Sequence, residues 1–211
     1  MRLPEDASDR PVINVEGERV ALGPLRRDLV PRYRRWSNDF RTLRTLGDMP
    51  APVPAEAMEA LYAGVMAIPD AVAFTIYVRD APGASCGWRP VGTYSLVGID
   101  HRNRTAEFVI YIGEPSERGK GYGTEATRLT LDYAFTALGL HSVLLKVYAF
   151  NLAGLRTYQK AGFREIGRRR QAHHMGGRLW DVILMDCLAT DFARAGSSVL
   201  SAVFAPDHPR D

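Results

Sequence analysis

Cysteine is scarce: Cys86 and Cys187 are the only two in 211 residues, and they have no CxxC spacing. That excludes a disulfide framework and makes a reducing compartment the default. Lysine is scarcer than the charge suggests, since of 27 basic residues only Lys120, Lys146 and Lys160 are lysines. No apolar run approaches the ~20 residues that span a bilayer, and Met1 to Pro11 is charged and proline-containing, unlike a secretory leader. The basic excess is small as well, 27 against 24 acidic residues for a net +3, too little for a nucleic-acid footprint. The arginines of 32–35 and 168–170 therefore read as solvated faces or as contacts to phosphates. What is present, 46% hydrophobic and 24% charged residues, describes a soluble globule. The expectation is one cytoplasmic domain over residues 17–190, with a loose lead-in over 1–16 and a tail or docked extension over 191–211. Neither membrane nor nucleic acid is expected as a partner.

The pattern of elements is α/β. A short strand is expected over Arg19 to Leu22, closed by Gly23-Pro24, and then an amphipathic helix over Asp28 to Asn38. Pro50, Pro52 and Pro54 form a stiff connector. Pro54 suits the start of a helix over Ala55 to Ala67, with Met58, Leu61, Val65 and Ile68 as its apolar stripe. From Ala71 the texture turns β-branched and aromatic. Strands are predicted over Ala71–Val78, Val91–Ile99 and Thr105–Ile112, with a turn-rich linker from Asp80 to Pro90. A helix over Thr124–Leu138 ends at Gly139, a strand covers Ser142–Ala149, and a second helix over Asn151–Ala161 stops at Gly162. Gly176-Gly177 between two alternating runs is a two-residue hairpin turn.

The informative stretch lies between strand Thr105–Ile112 and helix Thr124–Leu138. A strand, a glycine-rich bend and a helix start turn a row of free backbone N–H groups toward one point at the positive end of the helix dipole. Gly119, Gly121 and Gly123 let a phosphate approach the main chain, and Arg118 and Lys120 add formal charge. A P-loop is excluded because Glu114 stands where its first glycine belongs and Gly121 follows Lys120. A dinucleotide fingerprint lacks its acidic residue at the end of the next strand, where the chain reads Gly139-Leu140-His141-Ser142.

Arg118-Gly119-Lys120-Gly121-Tyr122-Gly123 matches instead the [Gln/Arg]-x-x-Gly-x-[Gly/Ala] loop of one superfamily, and an ordered set of segments goes with it. These are Thr124-Glu125-Ala126, Leu131-Asp132-Tyr133-Ala134-Phe135, Gly139-Leu140-His141, Asn151 through Gly162-Phe163, and Gly177-Arg178-Leu179-Trp180-Asp181. Together they resemble the GNAT superfamily of acyl-CoA-dependent N-acyltransferases and, within it, the RimJ/RimL-like branch. The likeness covers residues 91–188, while residues 17–90 follow the order of elements without a motif. It implies an α/β (α+β) fold with a mixed, mostly antiparallel, splayed central sheet flanked by helices. It also implies acetyl-CoA, or another acyl-CoA, as co-substrate, no metal, and a homodimer as a reasonable expectation for the branch. By the same resemblance the pantetheine arm lies on the edge of Tyr111, Ile112 and Gly113. The pyrophosphate falls on the N–H groups of Arg118, Gly119, Lys120, Gly121, Tyr122, Gly123 and Thr124. Asn151 touches the pantetheine while capping its helix, and Arg156 or Lys160 are candidates for the 3′-phosphate.

Acyl transfer to an amine needs a base, because an alkylamine with a pKa near ~10 is a cation at neutral pH. Glu107, fourteen residues before Gly121, matches the general base of the histone-acetyltransferase relatives; it reads equally as an ion-paired strand residue. A second glutamate position used by ribosomal-protein relatives holds Lys146 here. Tyr158, seven residues after Asn151, matches the family's acid for the departing thiolate, or else packs in the core. His173-His174 offers no zinc site, since neighbouring strand side chains point to opposite faces and no third ligand is near. Trp36, Trp88 and Trp180 either line an acceptor pocket or pack. The expected activity is transfer of an acetyl or other short acyl group to a primary amine. The acceptor is a small molecule (antibiotic, polyamine or amino sugar) or a peptide N-terminus. The alternative is a catalytically silent CoA-binding regulatory module.

Overall fold

The computed structural model describes residues 10–46, 51–80, 87–194 and 198–204. Its centre is an eight-stranded sheet in the order β1-β2-β3-β4-β5-β6-β8-β7. The strands are β1 Val15–Glu16, β2 Val20–Pro24, β3 Val72–Arg79, β4 Trp88–Asp100, β5 Thr105–Ile112, β6 Ser142–Tyr148, β7 Arg164–Met175 and β8 Arg178–Leu188. Every neighbouring pair is antiparallel except β5 and β6. That parallel ladder is short, running only from Thr105↔Ser142 to Glu107↔Leu144. Beyond it β5 stays with β4 up to Ile112↔Gly92, and β6 stays with β8 up to Tyr148↔Val182. The sheet therefore forks.

Strand alternation sends successive side chains to opposite faces, and each face has its own helices. Ala106 and Phe108 of β5 join Val143, Leu145 and Val147 of β6 in the main core. On that side lie α4 (Tyr122–Asp132) and α5 (Leu152–Ala161), packed through Ala126, Leu129, Leu131 and Ala161. On the other face, α1 (Val30–Ser37) buries Val30, Tyr33 and Trp36 with Met58 of α3 (Ala55–Ala67), and Tyr111 of β5 packs against them. Pro31 stands in the first turn of α1 and Pro54 caps α3, positions where a missing N–H costs nothing. The stripe expected on α3 is mostly uncovered: Met58 is buried, but Leu61 and Ile68 are about half exposed (54% and 48%). The reason is that α3 leans on α1, not on the sheet.

Three further elements differ from the sequence reading. Val15 and Glu16, in the expected lead-in, pair with Leu22 and Ala21. A four-residue helix, α2 (Phe40–Leu43), follows α1 and is capped by Asp39, whose side chain accepts from the Arg41 N–H at 3.0 Å. The long helix starts at Tyr122 rather than Thr124, and its end, Tyr133–Ala137, is a π-turn with Leu138 N–H donating to Tyr133 O at 3.1 Å. The hairpin turn is as expected, with Gly176 and Gly177 at φ +59° and +72°. Cys86 lies outside the described residues, and Cys187 is buried, its thiol pushed up to about 12 by desolvation. No described helix is long and apolar enough to cross a membrane.

After β8 the chain forms α6 (Ala189–Arg194), and residues 198–204 dock near the end of α4. The docking centre is Asp132, 2% exposed. Its Oδ2 accepts from Val199 N–H at 2.7 Å and Leu200 N–H at 3.2 Å, and its Oδ1 accepts from the Thr136 hydroxyl at 2.9 Å. Asp132→Ala removes the acceptor of the Val199 N–H, leaves the Leu200 N–H and the Thr136 hydroxyl with Ser198 Oγ alone, at 3.1 and 3.2 Å, and is expected to lower the unfolding free energy by about 2 kcal/mol. The same change should expose residues 198–204 to protease. Urea unfolding and limited proteolysis check both, and an unchanged midpoint would mean the contact is incidental.

Candidate active site

The fork opens onto a cavity of about 460 Å³ between the diverging strands. Its walls are Ile110–Ile112 of β5, the bend Glu117–Gly123, the first turns of α4 and α5, and Arg41, Thr42 and Thr45 on and after α2. The bend is shaped by Gly119 and Gly121, at φ +77° and +88°, a region where an L side chain is strained. Gly121 caps α4. Arg118 N–H donates to Pro115 O at 3.3 Å and Thr124 N–H to Gly121 O at 3.1 Å. The two ends of the expected N–H row are thus spent internally. Gly119, Gly121 and Gly123, between those two ends, line the cavity at the start of α4.

The two formal charges of the motif also serve elsewhere. The Arg118 Nε donates to Ile112 O at 2.9 Å, and its Nη2 donates to Gly113 O at 3.3 Å and to the Thr42 hydroxyl. Asp39 stands 3.6 Å away. The Thr42 hydroxyl, helped by the nearby guanidinium, holds the Asp39 carboxyl below its usual range. Arg118 is therefore a staple joining β5, the bend and α2. Lys120 Nζ pairs with Glu117 at 3.1 Å, and Glu117 also receives Arg89 at 3.3 Å. Against the burial that raises it, Lys120 and Arg89 hold the Glu117 carboxyl low. The cavity cations left without a carboxylate among the described residues are Arg41, Arg156 and Lys160. Arg41 belongs to no motif and is not foreseen from the sequence.

The α1 side is fastened at Glu114, which accepts from Trp36 Nε1 at 3.1 Å and pairs with Arg35, with Arg32 3.8 Å away. Trp36 lies flat enough on Gly113 that a Cβ there would overlap the indole, and Tyr111 meets it edge-on at 6.4 Å. Trp36 is thus a packing residue. Trp180 packs as well, edge-on to Phe150 at 5.4 Å, and Trp88 lies under Arg79 at 4.6 Å.

Asn151 caps α5 through Oδ1, which accepts from Gly154 N–H at 3.0 Å, and it lines the cavity. Tyr158 lines it too. Its ring packs edge-on against Phe108 and Phe163, at 6.4 and 6.0 Å, so the packing and cavity-facing readings coexist. Desolvation pushes the phenol up to about 12. Glu107 stands apart from this group, on the α1 face at the base of the fork. Both its oxygens are 2.9 Å from Lys146 Nζ. Next along β6, Tyr148 stacks on Phe150 at 5.6 Å and His173 lies on Tyr148 at 4.0 Å. That aromatic wall was not foreseen as a unit, because its members come from three segments.

A parallel pair that splays beside a glycine-rich helix start is the architecture of acyl-CoA N-acyltransferases, and comparison with known proteins agrees. The profile of the acetyltransferase (GNAT) domain matches residues 19–164, and the chain belongs to this family. Spermidine N(1)-acetyltransferase of Vibrio cholerae is 34% identical over 102 residues, 48% of this chain and 58% of that protein. The Escherichia coli K12 enzyme of the same name is 36% identical over 100 residues, 53% of its length, so the matched segment spans little more than half of these relatives. Human alpha/beta-tubulin-N-acetyltransferase 9 is 33% identical over 159 residues, 71% of this chain and 74% of that one. Among solved structures, spermidine N-acetyltransferase from Vibrio cholerae with CoA and spermine superposes with a TM-score of 0.75 at 25% identity, covering 84% of this chain and 99% of that one.

Because Arg118 bonds within the protein, Arg118→Ala is expected to cost the ligand-free protein about 1–2 kcal/mol of stability. A purely phosphate-binding arginine leaves ligand-free stability unchanged, so urea unfolding without coenzyme separates the two.

Proposed function

We propose that this chain is an acetyl-CoA-dependent N-acetyltransferase that acts on a primary amine. The observation that carries the reading is the convergence of three features on one cavity. These are the glycine bend Gly119–Gly123 at the start of α4, an extended β5 edge left without β6 beyond Glu107, and the Tyr158 side chain. That bend and the helix dipole suit the pyrophosphate. The β5 edge takes the pantetheine amides as an added strand would, although Arg118 already holds the Ile112 and Gly113 carbonyls. Arg156, Lys160 and Arg41 supply charge for the remaining phosphate. Bound acetyl-CoA supplies the activated thioester carbonyl.

In this reading Glu107 accepts the proton of the acceptor ammonium, directly or through water, and frees the nitrogen lone pair. The new C–N bond forms as the C–S bond breaks, and the sulfur leaves with the electron pair. Tyr158 faces that sulfur. Its phenol at about 12 is a far weaker acid than an alkyl thiol near ~8.5, so complete transfer of its proton is uphill by about 5 kcal/mol. Tyr158 therefore acts as a hydrogen-bond donor to the thiolate. The nitrogen sheds a second proton as the amide forms, and that proton ends on the sulfur, while the one Glu107 collected returns to solvent. Within the family, the ordered segments from Thr124 to Asp181 support the RimJ/RimL-like branch, while the aligned relatives are named for spermidine and tubulin. A cytosolic setting suits a chain with two cysteines, one of them the buried Cys187 thiol.

The test is thiol release from acetyl-CoA with a panel of amines. Tyr158→Phe is expected to lower kcat about a hundredfold with little change in KM for acetyl-CoA. Calorimetric binding of CoA without turnover of any amine would replace the enzyme by a CoA-binding module, and no binding of CoA would remove both readings.

A further inference from the structure

The charge balance on the α1 face of the fork narrows the acceptor. Four carboxylates stand between α1 and the base of the fork, and each already has a cation. Asp39 has Arg118, Glu107 has Lys146, Glu114 has Arg35 and Arg32, and Glu117 has Lys120 and Arg89. Two further cations have no carboxylate among the described residues: Arg41 in the cavity wall, and Arg44, whose guanidinium lies over Phe150 at 5.7 Å. A polycation meeting these four described carboxylates finds none of them open. It must break an existing pair, which strands a charge, and it approaches arginines of its own sign.

We propose that the acceptor amine carries an anionic group, a carboxylate or a phosphate, and that Lys146 at the fork is the residue that selects it. The proposal rests on the acetyl-transfer reading above and names the class of its acceptor. Lys146 is suited by position and by reach. Its side chain is 46% exposed, Glu107 opposite is 33% exposed, and the pair sits where the β5–β6 ladder ends. A lysine ammonium on a flexible stem swings to a new anion without disturbing its strand. When it does, every charge stays paired: the acceptor's anion takes Lys146, and Glu107 is left to face the acceptor's ammonium. The same exchange frees both Glu107 oxygens to receive the ammonium proton. No bond in the protein is made or broken. An acceptor without an anion leaves Glu107 tied to Lys146.

The experiment compares kcat/KM for glycyl-glutamate, phosphoethanolamine and spermidine in the wild type, Lys146→Glu and Lys146→Ala. CoA affinity is measured by calorimetry in each to show that the coenzyme site is intact. The wild type is expected to prefer one of the two anionic amines to spermidine by about tenfold or more, and which of the two it prefers distinguishes carboxylate from phosphate. Lys146→Glu is expected to lower that preferred value about a hundredfold while raising spermidine turnover, with unchanged CoA binding; Lys146→Ala should fall between. Preference for spermidine in the wild type, or an order of preference unmoved by Lys146→Glu, overturns the proposal and leaves the acetyl-transfer reading standing. Turnover of none of the three, with CoA bound, overturns that reading and the proposal with it.

Discussion

The parallel contact between β5 and β6 lasts only to Glu107↔Leu144, and the site follows from its early end. Each strand keeps a full antiparallel partner on its outer side, β4 for one and β8 for the other. The right-handed twist of the two halves then carries the inner edges apart. Inner edges expose main-chain donors and acceptors that must find partners. Arg118 takes two of the carbonyls, those of Ile112 and Gly113, and the rest face a cavity wide enough for a thin amide-bearing arm. The same divergence leaves room for the glycine bend and the start of α4 to line the gap. One short ladder thus opens the cavity.

Holding that gap open requires fastening the bend to the helices on the other face, and the protein does it with ion pairs. Glu114 ties the bend to α1, and Arg118 ties it to α2. Glu117, 6% exposed, would be an uncompensated buried charge without Lys120 and Arg89. The consequence is a division of labour within the motif. Its glycines line the cavity, and its charged side chains build the wall. Removing one partner of such a pair costs more than the pair contributes, because the other charge is left behind. The bend is therefore rigid by the same groups that look, in a sequence, like phosphate ligands.

Much of the fold was legible. β5 falls on Thr105–Ile112 as the alternating pattern indicates, Gly176-Gly177 marks its hairpin, and Asn151 and Gly162 bound α5. These features are local: a period of two, a turn dipeptide, a cap. The glycine bend was legible for the same reason. What escaped depends on distant partners. Arg118 displays its charge in the sequence but not Thr42, which is 76 residues away. A helix as short as α2 has too few positions to show a period. The stripe on α3 is real as a pattern, yet its partner is α1 alone, so Leu61 and Ile68 stay exposed. Glu107 illustrates the limit best: the structure shows the ion-paired reading, with Lys146 as the partner, and that partner lies 39 residues away in the sequence.

The two faces of the sheet are under different constraints, and this explains why the acceptor side carries no motif. On the α4–α5 face, Ala106, Phe108, Val143, Leu145 and Val147 are buried in a core whose volumes are fixed by close packing. That face also carries the start of α4 after the glycine bend, whose geometry is set by Gly119 and Gly121 at positive φ. On the α1 face, past Tyr111, the floor is Val109, 39% exposed, with Glu107 and Lys146 beside it, and no packing term specifies them. Side chains there are free to follow the acceptor. Two proteins of one fold can then share a slot for the same donor while differing in sign of charge where the amine enters. Acceptor class is therefore read from the ion pairs at the fork, where a lysine in place of a free carboxylate changes what can approach.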